Sequence, residues 1–193
     1  MNLLKKNIHL IVNSETEDPE FPEGPLRKEF ATSAFALLRV SEKTGGKSLH
    51  ALKSFNPGDL LIRFQAKGIL PEPDRYSVQL AENKHLILDP DCLQYINHSC
   101  RPNVFFDLPR MSLLCLRPIA ADDEITFFYP STEWSMAQGF SCQCGSPSCL
   151  GYVCGARYVS SDVLRQYKLS EFIEKQHHLY YNPGAVRYPE YRP

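Results

Sequence analysis

Tyr95-Ile-Asn-His-Ser-Cys-Arg-Pro-Asn103 is the most informative stretch of this chain, because it brings amide, imidazole and thiol groups together in one short loop. A second stretch, Cys142-Gln-Cys-Gly-Ser-Pro-Ser-Cys149, supplies three more thiols. Between the two lies Asp123-Glu-Ile-Thr-Phe-Phe-Tyr129, an apolar segment that ends on a tyrosine. The ordered combination of these three segments, more than any one of them, predicts both the fold and the site.

The composition is ordinary for a globular protein. A chain of 193 residues is long enough to bury a core as one domain with arms. The net charge of −1 gives no electrostatic reason to expect direct nucleic-acid binding. The sequence contains no run of about 18 apolar residues, so we expect no membrane span. The apolar stretch near the N-terminus is too short and too interrupted to predict a signal peptide. We therefore expect a nuclear or cytoplasmic protein that is not secreted, whose seven cysteines are thiols or metal ligands.

Short apolar segments separated by strong turns predict a mainly β domain. The turns are Thr44-Gly-Gly-Lys47 and Asn56-Pro-Gly-Asp59. Ser160 is a predicted N-cap for one C-terminal helix that reaches about residue 178. The acidic stretch 13–25 is a solvated loop or, alternatively, a surface that faces a basic substrate peptide. The predicted strands are 1–12, 31–40, 60–64, 76–80, 86–88, 104–106, 113–116 and 125–129.

The cysteine segment has the spacing of metal ligands within one short loop. Cys142, Cys144 and Cys149 are three thiols, and a structural zinc site takes four. A fourth ligand must come from elsewhere in the chain, and Cys154 is the nearest in sequence. The alternative is a group of thiols that binds no metal. The spacing favours zinc.

In this order, the three segments resemble the SET-domain family of protein lysine methyltransferases, with its post-SET cysteine segment. The resemblance covers residues 35–152 and is strongest over 94–151. It implies a SET-domain fold of short strands and small sheets, with the polar loop held in a knot-like threading. We expect an N-terminal strand and acidic loop at 1–34, the SET domain at 35–133, the post-SET zinc segment at 134–154, and a C-terminal helix with an aromatic arm at 155–193.

The resemblance also implies a set of site residues. S-adenosylmethionine is the cofactor of the family, and its predicted ligands here are Gly46, Lys47, Asn97, His98, Tyr129 and Tyr152. The predicted catalytic residues are Tyr129 and Tyr76, and the predicted lysine channel contains Tyr76 and Phe127. In the family the fourth zinc ligand comes from the polar loop, so the predicted zinc ligands are Cys100, Cys142, Cys144 and Cys149.

Several of these assignments have simpler structural alternatives. Tyr129 is otherwise a core tyrosine at a strand end, Tyr76 an ordinary strand aromatic, and Tyr152 a core or surface aromatic. Ser48 stands where the family has the second glycine of its cofactor loop. Gln94-Tyr95 replaces the family's Arg-Phe before the polar loop. These departures concern substrate recognition more than the fold.

The chemistry implied by the resemblance is methyl transfer to an amine. A lysine amine has a pKa of about 10.4 and must lose its proton first. An apolar channel favours the neutral amine, and a tyrosine hydroxyl can orient it. We expect the substrate to be a protein lysine, with a histone tail as the natural first candidate. Phe127 predicts room for more than one methyl group. The alternatives are a SET-like enzyme that acts on a small molecule or catalyses a different reaction, and a non-catalytic zinc-stabilised interaction protein.

Overall fold

The computed structural model of the chain describes residues 27–31 and 34–181. The predicted first strand at 1–12 and the acidic loop at 13–25 lie outside the described residues. The same holds for the part of the predicted aromatic arm beyond residue 181. The described part is mainly β, as the sequence predicts, with its helices at the C-terminal end.

The strands form small sheets. Three antiparallel sheets have the strand orders β1-β2-β3, β4-β10-β9 and β5-β7-β6. β12 and β13 form an antiparallel pair, and β8 and β11 a parallel pair. The strand bounds are β1 (Arg27–Ala31), β2 (Ala36–Ser41), β3 (Lys47–Ala51), β4 (Leu60–Arg63), β5 (Gln65–Leu70), β6 (Val78–Ala81), β7 (Lys84–Asp89), β8 (Asn97–His98), β9 (Val104–Asp107), β10 (Ser112–Cys115), β11 (Thr126–Phe127), β12 (Phe140–Ser141) and β13 (Tyr152–Val153).

The main core lies between these sheets. Phe106 is completely buried, and its ring meets Phe64 edge to face at 5.5 Å and Phe127 at 4.9 Å between centroids. Leu113 on the neighbouring strand and Leu49 on β3 are also fully buried. Apolar residues from strands far apart in sequence therefore share one core, which fixes the sheets relative to each other.

The polar loop is fixed by the parallel pairing of β8 with β11. Asn97 pairs with Thr126, and His98 pairs with Phe127. The backbone N–H of Ser99 donates to the Phe127 carbonyl at 3.0 Å, which extends the pairing. The loop and the segment that ends on the predicted catalytic tyrosine are thereby neighbours. The knot-like threading of the loop stays a prediction.

Two predicted strands differ from those observed, and several observed strands, β5 among them, were not predicted. The strand predicted at 125–129 ends at Phe127, and a 3-10 turn covers Tyr129–Ser131, since Pro130 has no N–H for a sheet. The strand predicted from Tyr76 begins only at Val78. β5 was missed because its side chains are mostly exposed and show no apolar alternation.

The prediction of one continuous C-terminal helix was wrong. The structure has a short helix α1 (Ser161–Leu164), a connection, and a second helix α2 (Glu171–Tyr181). The connection carries Tyr167, whose ring stacks on Phe128 at 3.7 Å between centroids. This tertiary contact and the bond from the Ser170 N–H to the Ser131 carbonyl, 2.8 Å long, interrupt the helix. No helix in the described residues has the length and apolar character needed to cross a membrane.

Candidate active site and cysteine cluster

One open cleft of about 1030 Å³ collects most of the residues that the sequence predicted. Four segments line it: the turn between β2 and β3, the residues before β6, the polar loop at β8, and the chain from β11 to the cysteine segment. The cleft-lining members of the predicted cofactor, catalytic and channel residues are Gly46, Lys47, Tyr76, Asn97, His98, Phe127 and Tyr129, and two predicted zinc ligands, Cys142 and Cys144, line it as well.

Asn97 ties the polar loop to the turn after β2. Its side-chain amide donates to the Lys47 carbonyl at 3.0 Å and to a carboxylate oxygen of Glu124 at 2.8 Å. Both donor hydrogens are therefore used within the protein, and the amide orientation is fixed. Asn97 holds three cleft-lining segments in register.

His98 links the cleft to the thiols. Its Nδ1 accepts a hydrogen bond from the Tyr129 backbone N–H at 3.2 Å, so the ring proton lies on Nε2. Nε2 lies 3.3 Å from the Cys100 sulfur, within donating distance. Burial lowers the pKa of His98 to about 4, so the ring is neutral at physiological pH. The neutral tautomer can make both contacts at once.

Tyr129 lies half-buried beside this histidine. Its hydroxyl donates to the Ile96 carbonyl at 3.2 Å, which fixes the side chain. Burial raises the pKa of Tyr129 to about 12, so the hydroxyl stays protonated at neutral pH. The rings of Phe127 and Phe140 lie 4.6 Å and 5.8 Å from its ring centroid. The tyrosine ring is therefore flanked by two other aromatic rings.

Tyr76 lies at the mouth of the cleft. It is 44% exposed and meets Tyr95 edge to face at 6.1 Å between centroids. Lys47 reaches the same ring, with its ammonium 4.4 Å from the Tyr95 centroid and 3.1 Å from the hydroxyl oxygen. Phe127, in contrast, is buried at the base of the cleft. The predicted channel residues thus occupy its outer and inner ends.

The turn that replaces the family's cofactor loop keeps an open backbone. Gly45 has φ +68°, and a Cβ there would meet open space. Ser48, which stands where the family has a glycine, lies with its hydroxyl 3.1 Å from His50 Nε2. The hydroxyl thus has a partner within the protein.

Tyr152 is the one predicted cofactor residue that does not line the cleft. It lies on β13, is 58% exposed, and pairs with Ser141. Its hydroxyl packs against Gly139, where an added Cβ would lie 2.6 Å from the hydroxyl oxygen. Tyr152 therefore supports a cleft-lining glycine from behind, and adenine stacking stays a prediction.

Other cleft residues carried no usable signal in the sequence. Arg75, Tyr95 and Phe140 line the cleft alongside the predicted set, and so does the carboxylate of Glu133. Glu133 is buried, with 7% of its surface exposed. A single glutamate after a turn gives no periodicity or spacing that predicts burial.

Four thiols form one compact group. The sulfur atoms of Cys100, Cys142, Cys144 and Cys149 all lie within 4.8 Å of one another. Four thiolates around zinc at about 2.3 Å are about 3.8 Å apart, so the group is compatible with a zinc site. Cys154, the other candidate for the fourth ligand, does not belong to the group.

The surroundings of the thiols also fit a metal. The backbone N–H of Leu150 donates to the Cys100 sulfur at 3.4 Å, and that of Gly151 to the Cys149 sulfur at 3.4 Å. Burial raises the pKa of Cys100 to about 12 and that of Cys142 to about 11. A divalent cation reverses this preference, because a coordinating thiol is deprotonated.

Fold and cleft together define a SET-type architecture with a cysteine cluster beside the site. The sequence pattern of the family described as SET domain matches residues 46–130. A relative from Aspergillus flavus, named "Methyltransferase flvH", is 36% identical over 129 residues, which are 66% of this chain and 72% of the relative. The chain therefore belongs to the SET-domain family.

Further relatives are much longer proteins. The fission yeast Schizosaccharomyces pombe has a "Histone-lysine N-methyltransferase, H3 lysine-36 specific" that is 40% identical over 68 residues, 32% of this chain and 8% of that protein. The chain thus spans less than a tenth of its length. The methyltransferase domain of human SETMAR overlaps with a TM-score of 0.43 and 15% identity, over 60% of this chain and 56% of that one.

Proposed function

We propose that this protein transfers a methyl group from S-adenosylmethionine to the side-chain amine of a lysine in another protein. Membership of a methyltransferase family supports methyl transfer in general. The observation that carries the finer proposal is the convergence in one cleft of the polar loop, Tyr129, Phe127 and Tyr76, which come from separate segments.

S-adenosylmethionine, when bound, supplies an activated methyl group on a sulfonium. The residues that would hold it are Gly46, Lys47, Asn97 and His98, around the open backbone at Gly45. The size of the cleft suits a ligand of this kind. Asn97 and His98 keep these elements in place through the hydrogen bonds described above.

Tyr129 and its aromatic neighbours act on the amine. The hydroxyl has its proton committed to the Ile96 carbonyl, so its oxygen lone pairs can accept a hydrogen bond from the amine or a weak C–H contact. The rings of Phe127 and Phe140 exclude water, which favours a neutral amine. These residues mainly position the reacting groups, which is sufficient for an activated electrophile.

We propose zinc as the ion held by Cys100, Cys142, Cys144 and Cys149. Its role is structural, since four protein ligands leave no open coordination position. Cys100 belongs to the polar loop, so the metal would join that loop to the cysteine segment and complete one wall of the cleft.

A histone tail is the substrate that we propose first, which implies action in the nucleus. Several relatives carry the printed name histone-lysine N-methyltransferase. Phe127 in place of a tyrosine leaves space beside the amine, so we propose that di- or trimethyl-lysine is formed.

A small molecule is the second candidate substrate. The relative that this chain covers to 72% is named a methyltransferase with no substrate in its name, whereas the histone enzymes match over short segments. The two candidates differ in which molecule carries the methyl group after the reaction, a protein or a small molecule.

The test is transfer of a radiolabelled methyl group from S-adenosylmethionine in a lysate of the source cell, with protein and small-molecule fractions counted separately. Tyr129→Phe is the active-site variant, and Tyr158→Phe is the matched control because Tyr158 is 60% exposed outside the cleft. Label in protein that Tyr129→Phe lowers on the order of 100-fold supports lysine methylation. Label confined to small molecules supports the second candidate, and no Tyr129-dependent label rejects both.

A further inference from the structure

Glu133 is a buried carboxyl group on the wall of the cleft. Only 7% of its surface is exposed, although glutamate is seldom buried without a partner. It follows Tyr129 by one turn of chain, and its backbone N–H donates to the Tyr129 carbonyl at 3.0 Å. Its backbone is therefore tied directly to the tyrosine proposed to orient the amine.

One oxygen of this carboxyl group is anchored and the other is not. Oε1 accepts a hydrogen bond from the Gln79 backbone N–H at 2.8 Å and from the Thr132 hydroxyl at 3.4 Å. The side-chain oxygen of Gln79 in turn accepts a hydrogen bond from the backbone N–H of Trp134 at 2.9 Å. Within the described residues, Oε2 has no hydrogen-bond partner. The hydrogen bonds to Oε1 fix the side chain and leave Oε2 available to accept a further hydrogen bond.

Among the residues that the structure describes, no lysine, arginine or histidine forms an ion pair with Glu133. Burial raises the pKa of Glu133 to about 7, and the bonds from Gln79 and Thr132 only partly oppose this. A buried carboxylate without a counter-ion is costly, so a cationic group that enters the cleft would be stabilised beside it.

Hydrogen bonds join Glu133 to the two segments that carry the predicted catalytic tyrosines, Tyr76 and Tyr129. Gln79 lies on β6, which begins two residues after Tyr76, and the 3-10 turn that precedes Glu133 begins at Tyr129. We propose that Glu133 binds the ammonium group of the substrate and accepts its proton before methyl transfer. This inference rests on the proposed function and adds to it a requirement for a cationic amine substrate.

The proton step is balanced within these groups. The ammonium nitrogen gives one proton to Oε2, which leaves a neutral amine with a free lone pair and a neutral carboxylic acid. The acid returns the proton to water after the product leaves. The other titratable or charged groups that line the cleft are Lys47, Asp74, Arg75, Tyr76, Tyr95, His98, Glu124, Tyr129, Cys142 and Cys144.

The test compares Glu133→Gln with the wild type across pH 6–10, with S-adenosylmethionine and a histone H3 tail peptide. The glutamine can still accept the bonds from Gln79 and Thr132, so the fold is retained, which circular dichroism checks. Glu174→Gln on the exposed side of α2 is the matched control.

We expect Glu133→Gln to lower kcat/KM at least tenfold at pH 8, with a deficit that shrinks toward pH 10 as free amine becomes abundant. For the wild type, kcat/KM should decrease as the pH falls below about 7, because Glu133 becomes protonated there. Glu133→Asp keeps the charge and should keep this acidic limb at a lower rate. A deficit independent of pH, or activity within twofold of the wild type, would overturn the proposal.

A second readout does not depend on methyl transfer to a peptide. n-Butylammonium chloride mimics the lysine side chain, and we expect it to raise the melting temperature of the wild type above that in equal sodium chloride. Glu133→Gln should lose this increase and Glu174→Gln should keep it. If the H3 peptide is not methylated, the histone tail is rejected as the substrate, and this readout still decides the role of Glu133. Equal stabilisation of all three proteins, or of none, overturns it.

Discussion

The two regions that enclose the cleft are stabilised by different means. The strand body, residues 35–127, has a large apolar core that includes Leu49, Phe106 and Leu113, all fully buried. The C-terminal cap, residues 128–181, has a small core, and its buried members are Phe128, Ala156, Val159, Leu164 and Ile173. The body is held by burial of apolar surface, and we expect the cap to need the proposed zinc site as well.

Cys100 is one of the residues that join the two regions. This residue belongs to the polar loop of the body, yet its sulfur lies in the group formed by the cap cysteines. Its carbonyl accepts a hydrogen bond from the Tyr167 hydroxyl at 2.8 Å, and the Tyr167 ring stacks on Phe128. The comparison therefore predicts that the cap can lose order while the body stays folded.

Removal of the metal should give the largest effect. Cys144→Ser should abolish zinc binding and activity, because zinc sites of this kind contribute roughly 10 kcal/mol or more to folding in small domains. Hydrogen exchange should become fast in residues 140–154 and stay slow in β9 and β10. Zinc content by mass spectrometry and exchange by residue measure both. Cys154→Ser is the control and should keep its zinc. One zinc per chain and unchanged exchange in Cys144→Ser would contradict the comparison.

Truncation of a core side chain in the strand body should have the second-largest effect. Phe106→Ala should lower the free energy of unfolding by about 3–5 kcal/mol, because the buried ring leaves a cavity between Phe64 and Phe127. Urea denaturation measures the change, and the folded fraction should retain zinc. Leu60→Ala at a side chain 45% exposed is the control, with less than about 1 kcal/mol expected. Equal losses in the two variants would contradict the assignment of the core.

Titration of Glu133 should give a smaller effect that depends on pH. Its pKa is raised from 4.5 to about 7 by burial, so the folded state binds the proton more tightly than the unfolded chain. This stability is fully present below pH 4.5 and is lost as the pH rises through 7. Between pH 5 and 8 the wild type should lose roughly 2–3 kcal/mol more than Glu133→Gln.

Unfolding free energies measured at several pH values for both proteins give this difference. Loss of zinc at acid pH affects both proteins equally and therefore cancels. Parallel stability curves for the wild type and Glu133→Gln would show that the carboxyl group does not titrate in this window.

Loss of the hydrogen bond from the Tyr167 hydroxyl to the Cys100 carbonyl, which joins the two regions, should have the smallest effect. Tyr167→Phe keeps the stack on Phe128 but removes the hydroxyl donor to Cys100, which should cost about 1 kcal/mol. The release of zinc to a chelator should be faster than in the wild type. Tyr158→Phe is the control, and a Tyr167→Phe release rate equal to it would indicate that this bond does not couple cap and body.

Much of the cleft was predictable because its residues lie in short ordered motifs. Asn97 and His98 stand in the polar loop and Tyr129 at the end of an apolar segment, and the resemblance of these motifs to the SET-domain family identified them as candidate site residues. Glu133 could not be found this way, because its burial depends on Gln79, which lies 54 positions away in sequence. Tyr152 shows the converse, since its sequence position next to the cysteine segment did not bring it into the cleft.

The sequence by itself determined the family, the mainly β class and the segments that supply the tyrosine and the thiols, because these depend on local periodicity and on the order of motifs. Only the tertiary structure decided between Cys100 and Cys154 as the fourth thiol of the group, because that choice depends on which distant loop the cap packs against. The same packing interrupted the predicted helix at Tyr167 and buried Glu133 without an ion-pair partner among the described residues. Such features come from contacts between segments far apart in the chain, on which local sequence patterns carry no information.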